Sequence, residues 1–157
     1  MATLKETVKI AKRDWILSIL KDPAFETRWR WQSLSYNANI TWDIVEANPD
    51  KQWEWYELSC IANITWEIVE ANLNKPWDWW GLSINANITW DIVQANPDMP
   101  WDLSLLSENP NITLNIVQAN PNKKWCWYGI SSNPQVTQST RCAEIGSCAS
   151  SLEWRRI

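Results

Sequence analysis

A period of 24 residues runs through most of the chain. The neighbouring units 53–76 and 77–100 are identical at 14 of 24 positions without a gap. Four copies span 29–124, and a fifth begins at Trp125 and loses the pattern after Thr137. A unit this short cannot bury an apolar face by itself, so neighbouring units must supply the core for one another.

Three columns of the repeat are built on tryptophan, of which the chain has 15. The first column is Trp29, Trp53, Trp77, Trp101 and Trp125; the second is Trp31, Trp55, Trp79, Leu103 and Trp127; the third is Trp42, Trp66, Trp90 and Leu114. A buried tryptophan removes ~150–250 Å² from water. We therefore expect these columns to form the core between stacked units, although aromatic faces could also form a sugar-binding platform.

Each unit contains two predicted helices of about eight to ten residues, too short to persist alone. In the first, Thr41 is an N-cap residue and Asp43 suits the positive end of the helix dipole. Ile40 and Val45 fit a hydrophobic staple, and Asn48 fits a left-handed C-terminal position.

The second helix has weaker signals. Its expected boundaries are Asp50 or Asp98 at the start, Pro76 or Pro100 in the first turn, and Asn37 or Asn85 near the end. The β-branched segment Ile-Thr-Trp-x-Ile-Val would also suit a strand, in a β-solenoid or propeller. The caps favour helices, so we predict an all-α fold: an α-solenoid of 24-residue two-helix repeats.

The two ends differ from the repeats. Residues 3–21 predict an N-terminal capping helix that covers the first unit with Leu4, Val8, Ala11, Trp15 and Leu20. The expected organisation is a capping region over 1–28, repeats over 29–137, and a C-terminal cap or tail over 138–157.

Composition excludes several kinds of site. The chain has no His, which excludes Ser-His-Asp catalysis and His-ligated zinc, and its three Gly cannot form a phosphate-binding loop. We expect no enzyme activity, cofactor or metal. Residues 32–124 carry 12 acidic and 4 basic side chains, which argues against nucleic acid. No apolar run approaches the ~18 residues of a membrane span.

The expected cellular compartment decides how the cysteines and the glycosylation sequons are interpreted. The charged N-terminal sequence lacks a signal-peptide pattern, so we expect an intracellular protein with reduced thiols, while a Cys142–Cys148 disulfide stays open. The four Asn-Ile-Thr sequons are interpreted as turn and N-cap chemistry. Asp and Glu recur at 43, 67 and 91 and at 54, 78 and 102, where we interpret them as helix-dipole partners rather than catalytic acids.

Three columns vary between units while their neighbours hardly change. Offsets of 0, 1 and 4 share one helical face, so stacking would align the variable columns into a stripe. The candidate stripe is Gln32, Ser33, Tyr36, Tyr56, Glu57, Cys60, Trp80, Gly81, Ile84, Ser104, Leu105, Glu108, Tyr128, Gly129 and Ser132. Its aromatic residues are typical of protein-binding surfaces, but the variation could equally mark an unconstrained solvent face.

The unit N-[AP]-N-I-T-W-[DE]-I-V-x-A-N-P-D-K-P-W-x-W-x-x-L-S, over 29–137, resembles the Trp-rich tandem repeats found in proteins of giant DNA viruses of protists. That resemblance implies no enzymatic activity but an interaction or virion role. Ile61, Leu73 and Leu114 depart from the pattern and indicate drifting copies.

We therefore expect a non-catalytic scaffold that binds a protein partner, with self-association possible. A structural role in a viral particle is the alternative, and carbohydrate binding through Trp faces is the third hypothesis. The expected location is intracellular, in the host cytoplasm or in the virion if the protein is viral.

Overall fold

The computed structural model describes residues 3–22, 24–25 and 28–136. Within these ranges the protein is helical and contains no strand, which confirms the all-α prediction. The helices are α1 (Leu4–Leu20), α2 (Trp31–Ser35), α3 (Trp42–Glu46), α4 (Trp55–Cys60), α5 (Trp66–Ala71), α6 (Trp79–Ile84), α7 (Trp90–Ala95), α8 (Leu103–Leu106), α9 (Leu114–Ala119) and α10 (Trp127–Ser132). The predictions for 138–157, and for Cys142 and Cys148, lie outside the described residues.

After α1, two kinds of helix alternate along the chain. The Thr-capped helices α3, α5, α7 and α9 each follow a threonine, and the Ser-column helices α2, α4, α6, α8 and α10 carry a serine at or beside their C-terminal end. Successive Ser-column helices α2, α4, α6 and α8 contact one another. All nine are four to six residues long, so the expected eight to ten is wrong.

The threonines are at the predicted N-cap positions, Thr41, Thr65, Thr89 and Thr113. The hydroxyls of Thr89 and Thr113 accept hydrogen bonds from the backbone N–H three residues later, at 3.4 Å. Thr41 donates to the Asp43 carboxylate instead. Thr65 likewise forms a hydrogen bond with the Glu67 carboxylate, which lowers the pKa of Glu67. Thr89 and Thr113 therefore cap their helices directly, whereas Thr41 and Thr65 bond to the carboxylate in the first turn.

The Ser-column helices begin later than the sequence predicts. The predicted starts at Asp50 and Asp98 are wrong, and Pro76 and Pro100 lie before the helices rather than in their first turns, since α4, α6 and α8 begin at Trp55, Trp79 and Leu103. The preceding residues turn tightly: Trp53 N donates to Lys51 O at 2.9 Å, and Glu54 has an extended backbone. That extended segment brings the Glu54 N–H to Ser35 Oγ of the previous unit, at 2.9 Å.

The left-handed conformation expected at Asn48 is not adopted by its equivalents Asn72, Asn96 and Asn120, each of which has a negative φ. Asn72, for example, has φ −134° and ψ 38°. Its side-chain amide donates to Ile68 O at 2.8 Å, satisfying a carbonyl of the last turn. Its own carbonyl accepts the indole N–H of Trp77 at 2.8 Å, and the pairs Trp53–Asn48, Trp101–Asn96 and Trp125–Asn120 repeat this bond. The asparagine thus anchors the first-column tryptophan.

The tryptophan columns lie in or against the core as expected, except for Trp127, which is 63% exposed. Trp53, Trp77 and Trp125 are at most 8% exposed, as are Trp66 and Trp90 of the third column. Trp42, Trp66 and Trp90 each contact the first-column ring that lies two units further along the chain; Trp66 and Trp101, for instance, have centroids 5.7 Å apart. These contacts span one intervening unit and help to join the repeats into one hydrophobic cluster.

Buried serines connect consecutive units. Ser83 Oγ donates to Trp79 O at 2.7 Å and accepts the N–H of Asp102, 19 residues later, at 3.0 Å. In the same way, the Asp78 N–H donates to Ser59 Oγ, and the Cys126 N–H donates to Ser107 Oγ. Because both the donor and the acceptor capacity of the hydroxyl are used, the serine can be buried without an unsatisfied polar group.

Buried asparagine amides connect the same units. The Nδ2 of Asn109 donates to Ser83 O at 2.9 Å and to Asn85 O at 3.0 Å, while its Oδ1 accepts the Asn111 N–H at 2.8 Å. Asn85 and Asn133 make the equivalent bonds to the unit before each of them. All three side chains are at most 1% exposed. We call Asn85, Asn109 and Asn133 the asparagine ladder.

The sequon asparagines form a second set of cross-unit bonds. Asn87 Nδ2 donates to Ala62 O at 2.7 Å and to Ile64 O at 2.9 Å, and Asn63 and Asn111 donate to equivalent carbonyls. These side chains are structural, but their bonds run between units and go beyond the local turn and N-cap chemistry that the sequence predicts.

Helix α1 is present over nearly the predicted range, but the packing face expected from Leu4, Val8, Ala11 and Trp15 is wrong. Those four residues are exposed, and Leu4 is 82% exposed. Leu20 enters the core as predicted, and Ile16, one turn earlier, joins it near the C-terminal end of the helix. The Arg13 guanidinium donates to the Asp43 carboxylate at 3.2 Å, which links α1 to the first unit.

We expect Asn109→Ala to lower the free energy of unfolding by about 2–4 kcal/mol, because stranding a buried backbone carbonyl costs about 1–3 kcal/mol. Asn37 is the matched control, since it occupies the same column of the first unit but is exposed. Asn37→Ala should cost about 0.5–1 kcal/mol, the value of its local turn. Denaturant unfolding of both variants tests this, and equal losses would contradict it.

Trp53→Ala and Trp77→Ala should each cost about 3–5 kcal/mol, because each leaves a cavity between units. The control is Trp127→Ala, whose side chain is 63% exposed and should cost little. Thermal and denaturant unfolding measure the differences. A near-neutral Trp77→Ala would show that the first column is not the core.

Candidate functional site

One column of the predicted stripe is exposed in every unit. Tyr56 is 41% exposed, Trp80 64% and Tyr128 79%, and the polar members of the column are exposed as well. This column, which we call the exposed column, is Gln32, Tyr56, Trp80, Ser104 and Tyr128. The residue follows the first residue of each Ser-column helix, so the contacting helices carry it one unit apart.

The second column of the stripe is partly an internal contact. The sequence grouped Gly81 and Gly129 with exposed positions, but the structure buries both. A Cβ on Gly81 would lie 2.7 Å from Tyr56 O, and one on Gly129 would lie 2.9 Å from Glu108 Cγ. These glycines therefore let a Ser-column helix approach the preceding one closely. In the same column Ser33 is exposed, while Glu57 and Leu105 are half-buried.

The third column borders the exposed one. Tyr36, Glu108 and Ser132 are exposed, whereas Cys60 and Ile84 are half-buried. Burial raises the pKa of the Cys60 thiol, and the neighbouring thiolate would in turn raise the pKa of Tyr56. Both groups are therefore neutral at neutral pH, which suits a contact surface and not nucleophilic chemistry.

Acidic side chains surround the exposed column. The segments 53–60, 77–84 and 101–108 contain Glu54, Glu57, Asp78, Asp102 and Glu108 and no Lys or Arg. Asp78 and Asp102 are N-cap residues, and the Asp78 carboxylate accepts the Gly81 N–H at 2.8 Å. The surface thus combines exposed aromatic rings with net negative charge.

Trp127 belongs to this surface as well, although the sequence assigns it to the core by its place in the second column. It is 63% exposed and adjacent to Tyr128. Trp127 lies in the last Ser-column helix that the structure describes, and nothing in the residue itself distinguishes it from Trp55 or Trp79. Only its position in the series could have revealed the difference.

The described residues offer little chemistry for other kinds of site. No group of three or more Cys, Asp or Glu in these ranges is arranged to hold a metal ion. Nor does any helix of the described part of the chain have both the length and the hydropathy needed to cross a bilayer.

Comparisons with known proteins add no functional information. No protein-family model matches the chain, and neither a curated protein nor a solved structure is significantly similar to it.

Proposed function

We propose that the chain is an α-solenoid of 24-residue two-helix repeats with α1 as its N-terminal capping helix. The support is the recurrence of the same cross-unit hydrogen bonds. Ser59, Ser83 and Ser107 each accept an N–H from 19 residues later, and the asparagine ladder donates to carbonyls 24 and 26 residues earlier. Contacts that repeat by one unit are typical of a solenoid.

We further propose that this solenoid is a non-catalytic scaffold that binds a protein partner through the exposed column. The observation that carries the proposal is that this column is exposed in all five units and aromatic in three of them. Aromatic residues are the usual anchors of protein interfaces, because they bury a large area at low entropic cost. The surrounding half-buried residues Glu57, Ile84 and Leu105 would form the rim.

The charge of the surface indicates the chemistry of the partner. The segments 53–60, 77–84 and 101–108, which contain the Ser-column helices α4, α6 and α8, carry five carboxylates and no cation beside the exposed column. A partner segment rich in Lys and Arg would complement them, and its cations would also be attracted to the faces of Tyr56 and Trp80. The same field would repel nucleic acid, so we propose a protein partner inside the cell.

Carbohydrate binding has less support. A sugar platform requires open aromatic faces, but Trp53, Trp77 and Trp125 are buried and their indole N–H groups bond to backbone carbonyls. The first column therefore has no free face in these units with which to stack on a sugar.

We expect Tyr56→Ala, Trp80→Ala and Tyr128→Ala each to weaken partner binding by about 1 kcal/mol or more, as interface anchors do. Each should change the free energy of unfolding by less than about 0.5 kcal/mol. The partner is first identified by affinity capture with mass spectrometry, and calorimetry then measures binding of the purified pair.

Three controls sharpen this experiment. Gln118→Ala changes an exposed residue on a Thr-capped helix and should alter neither binding nor stability. Thr65→Ala and Asn72→Ala should lower stability while the folded fraction still binds. The proposal fails if Gln118→Ala and Trp80→Ala weaken binding equally. Stoichiometric presence in purified viral particles would favour an assembly role instead.

A further inference from the structure

One indole is missing from a regular series of ring contacts. The second-column rings of Trp31, Trp55 and Trp79 pack edge to face on the first-column rings of the next unit. The centroid distances are 5.0, 5.2 and 5.1 Å, and the interplanar angles are 78°, 88° and 85°. Leu103 takes the next place in the series, so it offers no ring to the following first-column residue, Trp125.

A cavity of about 330 Å³ lies beside Leu103. Trp90, Trp101 and Leu103 provide its apolar walls, and Lys123 borders it. The Trp90 ring already contacts Trp125, with centroids 5.2 Å apart. The cavity therefore lies beside the position that carries an indole in the preceding units, and Trp90 connects it to Trp125.

Lys123 also has a counterpart that contacts an indole. It occupies the column of Lys51, whose ammonium lies 5.5 Å from the centroid of the Trp31 ring. At Leu103 the cation is kept and the ring is absent. A ring entering this cavity would meet the Trp90 and Trp101 side chains and the Lys123 ammonium. An aromatic ring and a cation are also the two kinds of neighbour that Trp31 contacts.

We propose that this cavity is a binding site for an indole ring, the side chain of a tryptophan on a partner polypeptide. The repeat itself indicates the ligand, because in three of its units the residue in the column of Leu103 is a polypeptide-borne indole that packs on another indole. Lys123 and Gln94 at the border are exposed, which leaves the cavity open to an incoming side chain. The cavity shares no residue with the exposed column, so either site can fail without the other.

The test uses a short Gly/Ser peptide that carries one 5-fluorotryptophan, observed by fluorine NMR so that the protein's own indoles do not interfere. The peptide signal should shift and broaden on titration with the full chain. Leu103→Trp restores the repeat residue and should weaken this binding by about tenfold or more, because the new side chain fills the cavity. The same variant should raise the melting temperature.

The matched control is Leu114→Trp, which restores tryptophan in the third column but does not line the cavity. It should leave binding within about twofold of the original chain. Lys123→Met introduces the residue that the previous unit has in the same column, Met99. It should weaken binding by about two- to fivefold through loss of the cation. This second variant keeps the test decisive if Leu103→Trp folds poorly.

Equal binding by the original chain and Leu103→Trp would overturn the proposal, as would the absence of binding at millimolar peptide. If free 5-fluoroindole binds in the cavity beside Leu103 and the peptide does not, the site takes a free indole, and the proposal of a tryptophan side chain on a partner polypeptide is wrong.

Discussion

The buried side-chain amide of the asparagine ladder is the interaction on which the rest of the structure depends. Helices of four to six residues have little stability of their own, and they leave most of their terminal carbonyls without helical partners. Asn85, Asn109 and Asn133 reach across to such carbonyls in the unit before them. An amide is suited to this, because Nδ2 can serve two carbonyls while Oδ1 accepts the N–H of its own turn. Once those bonds form, the tryptophan columns are held in register and can pack ring to ring.

The ladder also explains where the molecule can vary. Positions that bond or pack between units hardly change from copy to copy, whereas the exposed column changes from Gln32 to Tyr56 to Ser104. Ile61 occupies the ladder column and is buried, so one cross-unit step rests on apolar packing. Leu103 replaces an indole and borders a cavity. One proposed binding site therefore lies on the exposed surface of the repeats, and the other lies at an interruption of their tryptophan core.

Much of the fold was predictable from the sequence because the period places equivalent residues in equivalent environments. Thr41 and its counterparts marked helix starts, and the spacing of Trp53 and Trp77 predicted the core. The starts of the Ser-column helices were not predictable, because the Glu54 N–H bonds to Ser35 in the previous unit and thereby keeps the chain extended. The close approach at Gly81 depends on Tyr56 and Ser59 of the neighbouring helix, and the sequence pattern does not contain that distance.

Side-chain amide hydrogen exchange, measured by NMR with asparagine labelled by nitrogen-15, tests the central claim most directly. If the ladder holds the units together, the Nδ2 protons of Asn85, Asn109 and Asn133 exchange only when neighbouring units separate. We expect protection of these three amides to approach that of the core backbone, while the exposed Asn37 amide exchanges at the rate of a free side chain. Similar, fast exchange for all four amides would contradict the account.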